Sequence, residues 1–147
     1  MSELPAVQLV VGWDHYPPST AALRFAIDMA RRLDAHVHVV HIQDMDDEPL
    51  DPDSDSWESQ SRTAIAAAET AAREELASGE VSWEYHRAHG PAAVQLLAVA
   101  QQCDALMIIL GSPRGGPASV LDTFLGQSVS HRLIGARRVP LVLVPAV

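Results

Sequence analysis

Residues 111–128 read GSPRGGPASVLDTFLGQS, between an apolar run and a stretch of helical character. Glycine-rich turns that join a strand to a helix leave backbone N–H groups pointing outward, and such groups bind phosphate. Lysine is absent from the whole sequence, so a Walker-type loop, which needs G-x-x-x-x-G-K-[ST], is excluded. Arg114 is the cation of this stretch. It can donate charge-assisted bonds to a phosphate, or it can fill the phosphate space with its own side chain.

Other residue types with chemistry in them lie elsewhere. His36, His38 and His41 fall within six residues. Alternation along a strand puts His36 and His38 on one face and His41 on the other, so the three cannot converge from one straight strand, and no metal site is expected there. The segment HRAH (86–89) reads as a partly exposed turn at a strand end. DPDSDS (51–56) has the opening carboxylate spacing of a calcium loop, but Ser56 stands where the loop needs glycine and Arg62 where it needs glutamate. A solvated acidic loop over about 44–56 is the expectation. Cys103, the single cysteine, excludes an intrachain disulfide and reads as a small packing residue. No Gly-x-Ser-x-Gly elbow is present.

These residues need elements to hold them. VQLVVGW (7–13) is a short, continuous apolar run that suits a strand covered on both faces. TAALRFAIDMARRL then sets Ala22, Phe25, Ala26, Met29 and Leu33 at helical spacing, with Ser19 or Thr20 as N-cap. HVHVVHI (36–42) is a second strand, and residues 57–78 a helix ended by Gly79, with an alanine-rich packing face over 64–77. A strand at 81–87, a helix with Pro91 in its first turn, a strand at 105–111, a helix to about 136 and the final strand VPLVLVP follow. Strict alternation of this kind implies a parallel sheet with helices on both faces, an α/β fold of three layers. Ligands of such sheets sit at the carboxyl ends of strands, where the strand order reverses. That rule selects GWDHYPPS, HIQD and GSPRGG.

A chain of 147 residues with 48% hydrophobic content and no internal repeat is expected to be one domain with a real core. Ten arginines face 19 acidic residues, a net charge of −9. That balance excludes the basic stripe of a nucleic-acid or anionic-membrane surface. No run approaches the length that spans a bilayer, and MSELPAVQLVV lacks a basic signal-peptide region, so the cytoplasm is the expected location.

The stretches VVGWDHYPPSTAALRFAIDMARRLDAHVHVVHIQD and ALMIILGSPRGGPASVLDTFLGQSVSHRLIGARRVPLVLVP, together with the element order, resemble the universal stress protein family along nearly the whole chain, 1–147. The resemblance implies a Rossmann-like fold of the adenine-nucleotide alpha-hydrolase type, its five-stranded parallel sheet ordered 3-2-1-4-5. It also implies a homodimer, and in many members ATP held by G-x-x-G-(nine residues)-G-[ST] after the fourth strand and by an Asp after the first. By position, Gly12 and Asp14 fall at the nucleoside end, with His15 and Tyr16 where the family commonly has Gly-Ser. Ile42 falls where the backbone reads adenine, and Gly111 and Ser112 match the first glycine and its neighbour. Arg114 occupies the place of the second glycine. Gly116 and Gly126 enclose nine residues if two extra residues precede Gly116; a second alignment pairs RGG with a common family RGG and puts the insertion after it. Gln127 stands where the family has Ser or Thr, with Ser128 and Val129 following.

The resemblance thus implies a cytoplasmic dimer in stress response or regulation that binds ATP or a related adenine nucleotide, with Mg²⁺ to offset the acidic balance. The final strand is the candidate dimer edge. An interaction module of the same fold without nucleotide is the alternative. An ATP-hydrolysing enzyme is the least supported reading, because no motif places a general base and His15 is the nearby candidate.

Overall fold

The computed structural model describes residues 7–43, 55–112 and 139–145. Five strands form one sheet: β1 (Val7–Trp13), β2 (Ala35–Gln43), β3 (Ser82–His89), β4 (Met107–Gly111) and β5 (Leu141–Val144). Their order is β3-β2-β1-β4-β5 and every pairing is parallel. Helices α1 (Pro17–Leu33) and α2 (Asp55–Gly79) cover one face, and α3 (Ala92–Cys103) covers the other. This is the expected α/β architecture. The acidic loop up to residue 54 and the helix expected to end near 136 lie outside the described residues, whereas Asp55 and Ser56, the end of DPDSDS, open α2 two residues before the expected start.

Burial on both faces explains why the strands read as apolar runs. Leu9, Val10 and Val11 are all inaccessible to solvent, with odd positions of β1 facing α1 and α2 and even positions facing α3. The larger core joins Leu9, Val11, Val37 and Val39 to Leu23 and Ile27 of α1 and to Ala68, Ala72 and Leu76 of α2. The smaller one sets Val10, Val40 and Ile108 against Leu96, Leu97 and Ala100 of α3. The alanine-rich face of α2 is thus a packing face.

Several boundaries differ from the sequence reading. The N-cap of α1 is Tyr16, with prolines opening the helix, because their fixed φ already suits a first turn. Ser19 instead lies buried inside the helix. The buried stripe of α1 runs through Ala22, Leu23, Ala26, Ile27 and Ala30; Phe25 and Met29 pack at its margin, and Leu33 is exposed where the helix ends. Pro91 is the N-cap of α3 rather than a first-turn residue. β3 continues through His89, so HRAH is strand and not turn. β4 starts two residues later than expected.

Gly79 ends α2 for a different reason than a left-handed cap. The left-handed residue is Glu80, at φ 57°. A Cβ on Gly79 would run into Cγ2 of Ile27, and the Gly79 carbonyl accepts from Nε of Arg31 at 2.9 Å. Glycine there allows α1 and α2 to approach closely.

Candidate functional site

The chain visits β1, β2 and β3 in one direction and then returns to the other side of β1 for β4. The sheet therefore has its switch point between β1 and β4, the crevice where open α/β sheets hold ligands. The register pairs Val11 with Ile109 and Trp13 with His41. Trp13, His41 and Gly111 thus end nearly level, and Asp14, Ile42 and Ser112 follow them at one end of the sheet.

Asp14 is exposed, and its turn is closed locally. Oδ1 accepts from the backbone N–H of Tyr16 at 2.9 Å, while the N–H of Asp14 donates to Oγ of Ser19 at 3.2 Å. The Ser19 hydroxyl in turn donates to the Tyr16 carbonyl at 3.0 Å. This short relay fixes the strand-to-helix turn. The left-handed residue inside it is His15, at φ 70°. Glycine adopts that region freely, whereas a side chain there is strained. The imidazole of His15 stacks on Trp13, centroids 5.6 Å apart, and Trp13 in turn donates Nε1–H to the Ala68 carbonyl at 2.9 Å.

The glycines and the donors have structural duties of their own. A Cβ on Gly111 would overlap the carbonyl of Pro18, so glycine lets the end of β4 pass under the start of α1. On Gly12 it would meet Leu110 Cδ2 at 2.6 Å, a flexible neighbour. The N–H of Ser112 is already bonded to the Val144 carbonyl at 2.9 Å and is committed to the sheet edge. Pro17 and Pro18 carry no N–H, which strips the N-terminus of α1 of two of its free donors. A phosphate would have to find donors after β4. Arg114, Gly116, Gly126, Gln127, Ser128 and Val129 lie outside the described residues.

On the α1/α2 side, a cleft of about 330 Å³ opens beside these strand ends, between Trp13, His15 and Thr20 and the α2 residues Glu74, Glu75 and Ser78. Its two carboxylates, of which Glu75 is paired with Arg24 at 2.7 Å, accept hydrogen bonds and donate none, so they do not hold a phosphate.

Two groups here were not visible as partners in the sequence. His41 is buried, and Tyr85 Oη lies 3.1 Å from its Nδ1. Burial first, then the charge of Arg87, holds the His41 imidazole below its ordinary value against the opposing pull of Asp14 and Glu69. Burial also pushes the Tyr85 hydroxyl up to about 12, so it stays a neutral donor. Beside this pair, Glu69 takes Arg87 at 2.6 Å and Arg73 at 2.9 Å, which holds its carboxyl below the usual range. Alternation alone would place 41, 85 and 87 on one face, but only the β2–β3 register makes them neighbours.

Three further histidines, His36, His38 and His86, occupy the α3 face. His36 and His38 share it, as alternation requires, and His41 faces away. Reasoning from one strand leaves out β3, whose Glu84 and His86 stand beside them.

The universal stress protein family model matches residues 8–145. The chain belongs to the universal stress protein family. Similar solved structures agree in fold. A universal stress protein in complex with cAMP is 16% identical, covers 96% of this chain and 98% of its own, and has a TM-score of 0.66. The protein from Archaeoglobus fulgidus in complex with dAMP is 20% identical over 98% of this chain and 99% of its own, with a TM-score of 0.59. An Arabidopsis thaliana family member with AMP bound is 10% identical over 96% and 92%, with a TM-score of 0.63. Comparison with curated protein sequences gives no match. Among the described residues of this universal stress protein, no helix is long and apolar enough to cross a membrane.

Proposed function

We propose that this universal stress protein binds one adenine nucleotide in the crevice at the carboxyl ends of β1, β2 and β4 and acts as a regulatory protein in the cytoplasm, as a homodimer. The observation that carries the reading is the switch point itself, where Asp14 and Ser112 follow β1 and β4 and Ile42 lies near the carboxyl end of β2 between β1 and β3. The related structures that hold cAMP, dAMP and AMP support it. Asp14 accepts from ribose hydroxyls or the adenine amino group, the Ile42 backbone reads the ring, and Gly12 and His15 border it. Gly111 and the Ser112 hydroxyl approach the ribose. Arg114, Gly116, Gly126, Gln127, Ser128 and Val129 surround the phosphates, with Mg²⁺ for a triphosphate.

The test is thermal unfolding with AMP, cAMP and ATP with Mg²⁺, each at millimolar concentration. Ligand at a hundred times its Kd stabilises a fold by about 2.7 kcal/mol. A shift that disappears in Asp14→Ala supports the reading; no shift with any of the three rejects it. A second reading, an interaction module without nucleotide, is favoured by three features. The Ser112 amide is committed to Val144, Gly111 is required by Pro18, and two prolines open α1. It gains if all three nucleotides leave the midpoint unchanged.

A further inference from the structure

Far from the strand ends, on the face covered by α3, four side chains with metal-binding atoms point at one another. Nε2 of His36 lies 3.4 Å from Oε1 of Glu84, and Nδ1 of His38 lies 3.7 Å from its Oε2. Nε2 of His86 is 3.6 Å from Oε2 of Glu84 and 3.0 Å from Nδ1 of His38. One ligand atom each from His36, His38 and Glu84 fits within 4.8 Å. Around a tetrahedral Zn²⁺, with bonds of about 2.0–2.1 Å, neighbouring ligand atoms stand roughly 3.3 Å apart. The four contacts of 3.0–3.7 Å fall around that edge length, with His36 on one Glu84 oxygen and His38 and His86 on the other. The three-residue set spans up to 4.8 Å and closes by a small shift of the half-exposed carboxylate.

Two further observations point to a cation. His36 is 3% exposed, and its Nε2, aimed into the cluster, has no hydrogen-bond partner. A buried polar atom left so is costly. The outer ring nitrogens, by contrast, are held. Nδ1 of His36 lies 2.9 Å from Oγ of Ser82, and Nε2 of His38 lies 2.7 Å from Oε1 of Gln8. An amide oxygen only accepts, so His38 carries its proton on Nε2 and offers the Nδ1 lone pair inward. Outer partners that fix the tautomer and ring orientation are what metal-binding histidines require. His36 and His38 are buried, while Glu84 is half exposed, which leaves an entry path from solvent.

We propose that His36, His38, Glu84 and His86 form a binding site for a single divalent zinc ion that clamps the edge strand β3 to β2. Three imidazoles and one carboxylate match the borderline-soft Zn²⁺ rather than Mg²⁺ or Ca²⁺, which take oxygen ligands. Four protein ligands leave no open position, so the site is structural. It lies at the amino halves of β2 and β3, and so is independent of nucleotide binding at their carboxyl ends.

The full chain is stripped with chelator and titrated with Zn²⁺ in a Cys103→Ser background, which removes the lone thiol. One equivalent is expected to bind and to raise the unfolding midpoint. Glu84→Gln and His86→Asn, at partly exposed positions that the core does not need, are each expected to lower affinity at least tenfold, since even outer-sphere partners cost about 10–100-fold. With Co²⁺ on the unsubstituted chain, tetrahedral visible bands without a thiolate charge-transfer band are expected. Absence of stoichiometric binding, affinity unchanged in both variants, or a thiolate band overturns the proposal.

Discussion

His15 occupies the left-handed region without being glycine, and its ring is stacked on Trp13. The strain and the stacking oppose each other, so they can be separated by substitution. His15→Ala loses the stack and keeps the strain; His15→Gly loses both. Glycine is expected to be the more stable of the two by about 1 kcal/mol, the cost of a side chain in that region, despite its looser unfolded chain. Urea unfolding midpoints of the pair check this, and alanine proving the more stable would refute it. His41 sets a pH dependence. Its folded-state pKa is lowered, so the unfolded chain binds the proton more readily, and stability falls as pH drops below the ordinary imidazole value of about 6.5. Tyr85, Asp14, Glu69, Arg87 and His15 are the charged or titratable groups around it. His41→Gln, which keeps an acceptor for Tyr85, is expected to flatten the decline in melting temperature between about pH 7 and 5. An equally steep decline in the variant would assign the effect to other groups.

Elements meet through small residues at particular contacts. Ala is the better helix former than Gly by about 1 kcal/mol, so propensity alone predicts that Gly79→Ala stabilises α2. The contact with Ile27 predicts the reverse, a loss of about 1–3 kcal/mol from overpacking. In Ile27→Ala the same change is expected to lose its penalty, and a double-mutant cycle by chemical denaturation reads the coupling directly. Additive effects would mean that the two helices do not meet there. The α2–β3 link through Glu69, Arg73 and Arg87 is a surface network. Glu69→Gln is therefore expected to cost no more than about 1 kcal/mol, and less in high salt.

At the scale of the whole molecule, β5 is one edge of the sheet and β3 the other. Carbonyls of Pro140 and Val144 accept from β4, so alternation turns the N–H of Leu143 outward. If two copies pair through β5, Leu143→Pro removes an outward donor without touching the ladder to β4. Light scattering at about 10 μM is expected to give a dimer for the unsubstituted chain and a monomer for this variant, with circular dichroism unchanged. A monomeric unsubstituted chain would remove the dimer.

The alternation of apolar strands with helical stretches determined the three-layer architecture. Buried parallel strands must be apolar on both faces, and a parallel sheet needs its crossovers. Position after strands 1, 2 and 4 likewise selected the crevice, because the switch-point rule depends on element order more than on motif. The neighbours across strands were decided by tertiary structure. Only the β2–β3 register sets Glu84 and His86 against His36 and His38, and Tyr85 against His41, since a shift of one residue would send each side chain to the opposite face. The glycines changed meaning in the same way. Gly111 and Gly79 carry no label in the sequence that separates a phosphate loop or a helix cap from a close approach, and the carbonyl of Pro18 and the side chain of Ile27 supply it.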